Sequence, residues 1–271
     1  MLLSAFVQWT AAVRIAYDGG RFMGSQRQPG ERTVEGEVLR CLRKLHAIDS
    51  AEAARFRVAS RTDRGVSALG NVACFDTCFR EGELLRALNG VAEDVHFLAY
   101  APVPPEFSPR RAKGRWYRYL APAEKVDLEQ FRACAQLFVG KHDFQRFCKP
   151  EGKSTLKNIA SVEVMPLGDM MVVDLRAREF LRNMVRRMVA AMLAVGKGEA
   201  TLDEVAAALD GKDVSFGLAP PEGLTLMEVD HGLEWRPAGD ALLAALRAQR
   251  VVAMRALLFQ EMLLDAAGER P

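Results

Sequence analysis

Apolar residues follow two periodicities along the 271-residue chain. Alternation of apolar and polar positions predicts strands over 8–17, 55–60, 71–79, 95–101, 115–120, 159–165, 170–177 and 224–229. Spacings of three to four residues predict helices over 34–45, 83–88, 127–139, 180–195 and 201–211, and a mostly helical tail over 240–266. This mixture predicts an α+β fold with mainly antiparallel sheets flanked by helices.

The run Pro102-Val103-Pro104-Pro105 interrupts the pattern before the middle of the chain. Prolines concentrate in loops and linkers because they break both helices and sheet ladders. We therefore predict two α/β subdomains, residues 1–104 and residues 105–271, the second of which ends in the helical tail.

Composition and charge are those of a soluble globular protein. Hydrophobic residues make up 49% and charged residues 27% of the sequence. The 37 basic and 35 acidic side chains leave a net charge of only +2. A surface for nucleic acid would therefore have to come from basic residues gathered on one face.

The sequence lacks motifs for metals, nucleotide cofactors and membranes. The five cysteines form no C-x-x-C pair, and the four histidines lie at no metal-ligand spacing from them. No glycine-rich phosphate loop occurs. The apolar start of the chain lacks a basic segment, and no apolar run reaches membrane-spanning length. We therefore expect no metal, cofactor, signal peptide or membrane span, and a cytoplasmic protein with reduced thiols.

The segment Ser60–Asn71 concentrates charge and glycine between two predicted strands. Asp63 follows Arg61 by two residues and directly precedes Arg64. Nearby cations favour the ionised form of a carboxylate, and a pre-positioned carboxylate can act as a nucleophile. On composition alone, an aspartate that caps a turn is the better explanation of this loop.

The predicted strand Arg115–Tyr119 combines aromatic and basic side chains. Alternation places Tyr117 and Tyr119 on one face of the sheet. Trp116 and Arg118 then lie on the other face. Such faces stack bases and contact phosphates in RNA-binding proteins. Ordinary β-propensity with one buried aromatic face explains the same residues equally well.

The predicted helix over 180–195 combines an apolar stripe with basic residues. Arg178, Arg182 and Arg186 recur at intervals of four and would stack on one side of the helix. Like charges at this spacing repel each other, so a phosphate or a buried carboxylate is expected nearby. A solvated basic face is the alternative.

Taken together and in this order, these segments resemble the tRNA pseudouridine synthase A family in its archaeal form. The resemblance extends from about Arg14 to Val229, and the tail after His231 lies outside it. The motifs that carry it are Tyr17-Asp18-Gly19 with Phe22, Gly24 and Gln26-Arg27-Gln28; Arg61-Thr62-Asp63-x-Gly65-Val66; Phe107 and Arg110; Arg115-x-Tyr117-x-Tyr119; Phe180-Leu181-x-x-Met184-Val185-Arg186; and Pro221-Glu222-Gly223-Leu224.

The resemblance implies an RNA-binding cleft between the two halves of the chain and a homodimer. It implies an isomerase that converts uridine to pseudouridine in tRNA without a cofactor. The implied substrates are uridines at about positions 38 to 40 of the anticodon stem-loop, which must leave the base stack before reacting.

The resemblance also implies roles for individual residues. Asp63 is the implied nucleophile, and Arg186 the residue that pairs with it. Tyr117 is implied to lie by the flipped base and to help remove the proton from C5. Arg61 is implied to hold the flipped nucleotide. Further substrate contacts are expected from Arg21, Gln26, Arg110 and Arg182.

Two alternatives remain open at this point. One is a related pseudouridine synthase that modifies other RNA positions. The other is a tRNA-binding or tRNA-folding protein without catalysis, and the intact set of Asp63, Tyr117 and Arg186 argues against it. A carboxylate-dependent hydrolase would need a second matching acid or a metal cluster, which the sequence lacks.

Overall fold

The computed structural model describes residues 8–266, with the backbone alone for 264–266. The start of the chain, where we expected no signal peptide, lies outside the described residues. The described strands are β1 Trp9–Tyr17, β2 Arg57–Val58, β3 Ser67–Thr77, β4 Val95–Val103, β5 Gly114–Pro122, β6 Gly140–Asp143, β7 Leu156–Leu167, β8 Met170–Ala177, β9 Leu224–Asp230 and β10 Arg236–Pro237. The described α-helices are α1 Val34–Lys44, α2 Leu84–Val91, α3 Leu128–Leu137, α4 Met184–Gly196, α5 Leu202–Leu209 and α6 Asp240–Ala266.

The strands form one sheet that contains both halves of the chain. Its order is β10-β4-β1-β3-β9-β5-β8-β7-β6, and β2 pairs with β3 outside this path. The pair β3 and β9 is parallel, and the other described pairs are antiparallel. The predicted α+β class with mainly antiparallel pairing is confirmed. The subdomain boundary between residues 104 and 105 stays a prediction.

A row of paired residues crosses the centre of the sheet. Tyr17 of β1 pairs with Ala68 of β3, which pairs with Leu226 of β9, which in turn pairs with Tyr117 of β5. Residues paired across strands point to the same side of a sheet, so these four side chains share one face. All four are buried. We call this side of the sheet the inner face.

Local capping explains where three of the helices begin. Thr33 accepts a hydrogen bond from the Gly36 backbone before α1, and Asp127 accepts two from the first turn of α3. Thr201 forms a reciprocal capping box before α5. Helix α3 packs against α4 and β7, which places these helices over the C-terminal half of the sheet.

The basic helix is shorter than predicted. Helix α4 begins at Met184, because Asn183 has a left-handed φ of 62°. The carbonyl oxygen of Arg182 accepts a hydrogen bond of 2.9 Å across an isolated β-bridge. Arg178 and Arg182 therefore precede the helix, and the prediction that they stack with Arg186 along one side of it is wrong.

Helix α6 is a single continuous helix of 27 residues. Large apolar side chains along it are more than half exposed, namely Val252, Leu257, Leu258, Phe259 and Met262. No helix in the described range combines the length and apolarity that a membrane crossing requires. This row of apolar side chains is therefore not covered by the rest of the described chain.

Candidate active site

Buried hydrogen bonds hold the loop between β2 and β3, which carries Asp63. The Thr62 N–H donates to Ser25 Oγ at 2.7 Å, and the Ser25 N–H donates to the Thr62 carbonyl at 3.0 Å. Thr62 Oγ1 lies 2.9 Å from Tyr17 Oη. Asn71 Nδ2 donates to the same phenol oxygen at 3.2 Å. Because a buried polar group is costly to leave unpaired, these contacts fix the backbone directly before Asp63.

Two glycines allow this loop to pack closely against its surroundings. Gly65 has a φ of +83°, and a Cβ there would lie 2.9 Å from Pro221 Cγ. A Cβ on Gly19 would overlap the Val66 backbone. A side chain at either glycine would push the loop outward, so the sequence Asp63-x-Gly65 suits a constrained turn.

Asp63 lies between two arginines from the other half of the chain. Its Oδ2 is 3.8 Å from Arg186 Nη1, and its Oδ1 is 3.7 Å from Arg182 Nε. The Asp63 side chain is 34% exposed and the Arg186 side chain 12%. The sequence neighbours Arg61 and Arg64 are exposed. Arg186, the expected partner, and Arg182 are thus both within ion-pair distance of Asp63.

Arg186 is itself fixed by the backbone of a neighbouring segment. Its Nε donates to the Ala219 carbonyl at 2.7 Å, and the Ala219 N–H donates to the Arg186 carbonyl at 3.2 Å. This reciprocal pair holds the guanidinium beside the carboxylate. The Arg186 side chain is therefore already ordered before substrate binds, so binding costs little of its conformational entropy.

Tyr117 is buried on the inner face near Asp63. Its ring packs edge-on against Phe180, with 5.2 Å between ring centroids. Burial raises the pKa of Tyr117 to about 12, the Arg115 cation opposes this shift, and the Asp63 charge adds to it. The side chain is therefore a neutral phenol at neutral pH.

The other predicted contact residues lie on the surface. The exposed ones are Arg21, Gln26, Arg61, Arg110 and Arg182. Arg182 also pairs with Glu151, with 2.7 Å between Nη1 and Oε1. Arg21 Nε lies 4.0 Å from Asp18 Oδ2. Sequence reasoning did not find the loop-fixing residues Ser25 and Asn71, although a polar Asn71 at the start of an apolar strand is a usable signal.

No group of three or more histidine, cysteine, aspartate or glutamate residues in the described range is placed to hold a metal ion. The charged groups around Asp63 are arginines, with Glu151 behind one of them. This arrangement can hold and orient a single carboxylate beside a buried phenol, which suits nucleophilic chemistry on a base or sugar.

Comparisons with known proteins identify the family. A family model described as tRNA pseudouridine synthase matches residues 134–231. A tRNA pseudouridine synthase A of Pyrococcus abyssi is 41% identical over 86% of this chain and 88% of its own. That of Thermococcus kodakarensis is 44% identical over 81% and 84%. That of Thermococcus gammatolerans is 40% identical over 94% and 98%. The resemblance of the motifs is thereby confirmed, and the chain belongs to the tRNA pseudouridine synthase A family of isomerases.

Proposed function

We propose that this enzyme isomerises uridines at about positions 38 to 40 of the tRNA anticodon stem-loop, after flipping each base out of its stack, with Asp63 as nucleophile. Membership of the family gives the coarser activity, isomerisation of uridine in tRNA. The positions within the anticodon stem-loop rest on the resemblance of the motifs, whereas one observation above all others supports Asp63 as the nucleophile. Asp63 lies in a fixed loop within ion-pair distance of Arg186 and Arg182, and its charge adds to the rise in the pKa of the buried Tyr117.

The reaction rearranges atoms without adding or removing any. The bond between N1 and C1′ of uridine breaks, the uracil turns, and a bond forms between C5 and C1′. The proton on C5 leaves, and N1 takes up a proton. No electrons are gained or lost, so the enzyme must supply a nucleophile, a proton path and a closed pocket in which the detached base can turn.

Each residue of the site has a proposed role in these reaction steps. An Asp63 oxygen bonds either to the base or to C1′ and is released as free carboxylate when the new bond forms. Arg186 keeps that carboxylate aimed at the substrate. We propose that Tyr117 helps to remove the C5 proton, and the charge of Arg115 opposes the rise of its pKa that burial causes. Arg61 holds the flipped nucleotide.

Position-resolved pseudouridine mapping tests the proposal directly. Purified protein would be incubated with unmodified tRNA transcripts, and each uridine would be scored, with Asp63→Asn protein as the matched control. The expected result is pseudouridine only at about positions 38 to 40 of the anticodon stem-loop, where each target base leaves the stack to react. Modification at other positions would favour the alternative of a related pseudouridine synthase that acts on different uridines. No modification at all would favour a tRNA-binding protein without catalysis.

Binding of tRNA should weaken steeply as salt increases. Four exposed arginines are the proposed phosphate contacts, namely Arg21, Arg61, Arg110 and Arg182. Four phosphate contacts give a slope of log affinity against log salt of about −3, or about a fiftyfold loss between about 50 and about 200 mM salt. Fluorescence anisotropy with labelled tRNA measures this slope. Arg110→Gln should reduce its magnitude by about 1, and a flat response would contradict the proposed contacts.

We also propose that the protein is a homodimer. The exposed apolar side chains of α6 support this proposal, because a helix of 27 residues is about 40 Å long and is apolar on most of its circumference. Leu258→Glu should shift the sedimentation coefficient of the full chain from dimer to monomer, whereas Gln260→Glu on the same helix should leave it unchanged. A wild-type monomer at micromolar concentration would exclude the homodimer.

A cytoplasmic location is proposed from the thiols. All five cysteines are free, and Cys41, Cys74, Cys134 and Cys148 are buried. Burial raises the pKa of Cys134 to about 12, which makes this thiol unreactive. Free thiols of this kind are typical of a reducing compartment.

A further inference from the structure

Arg115 connects three separate segments, one of which leads directly to Asp63. Its guanidinium donates to Ser60 Oγ at 3.1 Å, to the Arg110 carbonyl at 3.1 Å and to the Arg178 carbonyl at 2.7 Å. A longer contact of 3.5 Å reaches the Ala59 carbonyl. These acceptors are all neutral. Within the described residues, no carboxylate lies within ion-pair distance of Arg115.

The three segments are those that carry the proposed machinery. Ala59 and Ser60 begin the loop that holds Asp63. Arg110 is a proposed phosphate contact, and the segment from Arg178 leads to Arg182, the second cation at Asp63. Hydrogen bonds from this partly buried cation therefore tie the three segments to one another, in addition to the contacts that fix the Asp63 loop itself.

Arg115 also acts on Tyr117 along the same strand. Both side chains lie on the same side of β5, two residues apart. Burial raises the pKa of Tyr117, and the charge of the Arg115 guanidinium opposes that rise. The guanidinium therefore acts on the phenol through its charge.

We propose that Arg115 is a positioning residue of the isomerase, which sets the Asp63 loop against Arg182 and Tyr117 without touching the reacting atoms. This inference rests on the proposed roles of Asp63 and Tyr117. It predicts that the geometry of Arg115, and not its charge alone, is required. A lysine at this position keeps the charge, but its ammonium lacks the planar fork that spans three segments.

Single-turnover kinetics of Arg115→Lys test the proposal. At saturating enzyme, the rate of pseudouridine formation should fall about tenfold, while Kd for tRNA stays within about threefold of wild type. Arg118→Lys is the matched control, since Arg118 lies on the same strand but faces the opposite side, where it pairs with Asp174 at 2.7 Å. That control should keep the wild-type rate.

A double-mutant cycle separates positioning from general destabilisation. Because Arg115 fixes the segment that leads to Arg182, Arg115→Lys and Arg182→Gln should lose less together than the product of their separate losses. Three results would overturn the proposal. They are rate losses that multiply fully in the double mutant, an unchanged rate in Arg115→Lys, and an effect of Arg115→Lys on Kd alone.

Ser60→Ala covers the case in which Arg115→Lys does not fold. This variant removes one acceptor of the guanidinium and should lower the saturating rate about threefold with KM unchanged. A wild-type rate in Ser60→Ala would then overturn the proposal. Asp63→Asn reports separately on the proposed function, because its activity does not depend on whether Arg115 positions the loop.

Discussion

Asp63→Asn is expected to lower the single-turnover rate of pseudouridine formation by at least about ten-thousandfold, or about 5.5 kcal/mol in activation free energy. The substitution keeps the shape of the side chain but removes the charged oxygens that would bond to substrate. A reaction that depends on one nucleophile falls to background without it. Gel or mass-spectrometric quantification of pseudouridine over long incubations measures the loss.

Binding provides the control for this prediction. Asp63 is only 34% exposed and faces arginines, so Asp63→Asn should bind tRNA with a Kd within about threefold of wild type. Asp49→Asn, at an exposed position, should behave as wild type in both assays. Turnover by Asp63→Asn at a rate near wild type would remove Asp63 from its proposed role.

Arg186→Ala should slow the chemical step about a hundredfold, or about 2.7 kcal/mol. The mostly buried guanidinium is the better fixed of the two cations at Asp63, since it also donates to the Ala219 carbonyl. Its loss leaves the carboxylate free to turn away from the substrate. Arg182→Ala should cost only about threefold, because an exposed ion pair is screened by water.

A control variant distinguishes misorientation of the Asp63 carboxylate from a general loss of stability. Arg187→Ala changes the next residue of α4, which contacts the Arg146 carbonyl at 3.2 Å and not Asp63. Its thermal unfolding should shift about as much as that of Arg186→Ala, while its saturating rate stays near wild type. Equal rates in wild type and Arg186→Ala would refute the pairing as a catalytic feature.

The sequence predicts the local elements well because their causes are local. Alternation identified β5 and placed Tyr117 and Tyr119 on one buried face, as the structure has them. The Thr201 capping box and the Asp63 loop between two strands are likewise readable from neighbouring residues. Local periodicity placed the start of α4 too early, because Asn183 has a left-handed conformation and the helix begins only at Met184.

Partners distant in sequence were harder to predict. Composition pointed to Arg61 and Arg64 as the cations around Asp63, but the structure supplies Arg182 and Arg186. Those contacts depend on how the sheet is assembled, and pairing of β3 with β9 joins residues more than 150 positions apart. Only the family resemblance supplied the Arg186 partner. The position of Arg115 among three segments had no signal in the sequence.

The parallel pairing of β3 with β9 brings together the two parts of the polypeptide that supply the proposed reaction centre. The carboxylate comes from the chain before β3, and the arginines and the phenol come from β5 and beyond. Neither part alone contains both the proposed nucleophile and the groups proposed to orient it. Two inactive fragments cut near Pro104 would therefore have to complement each other, by reassembling the central sheet, before any uridine could be isomerised.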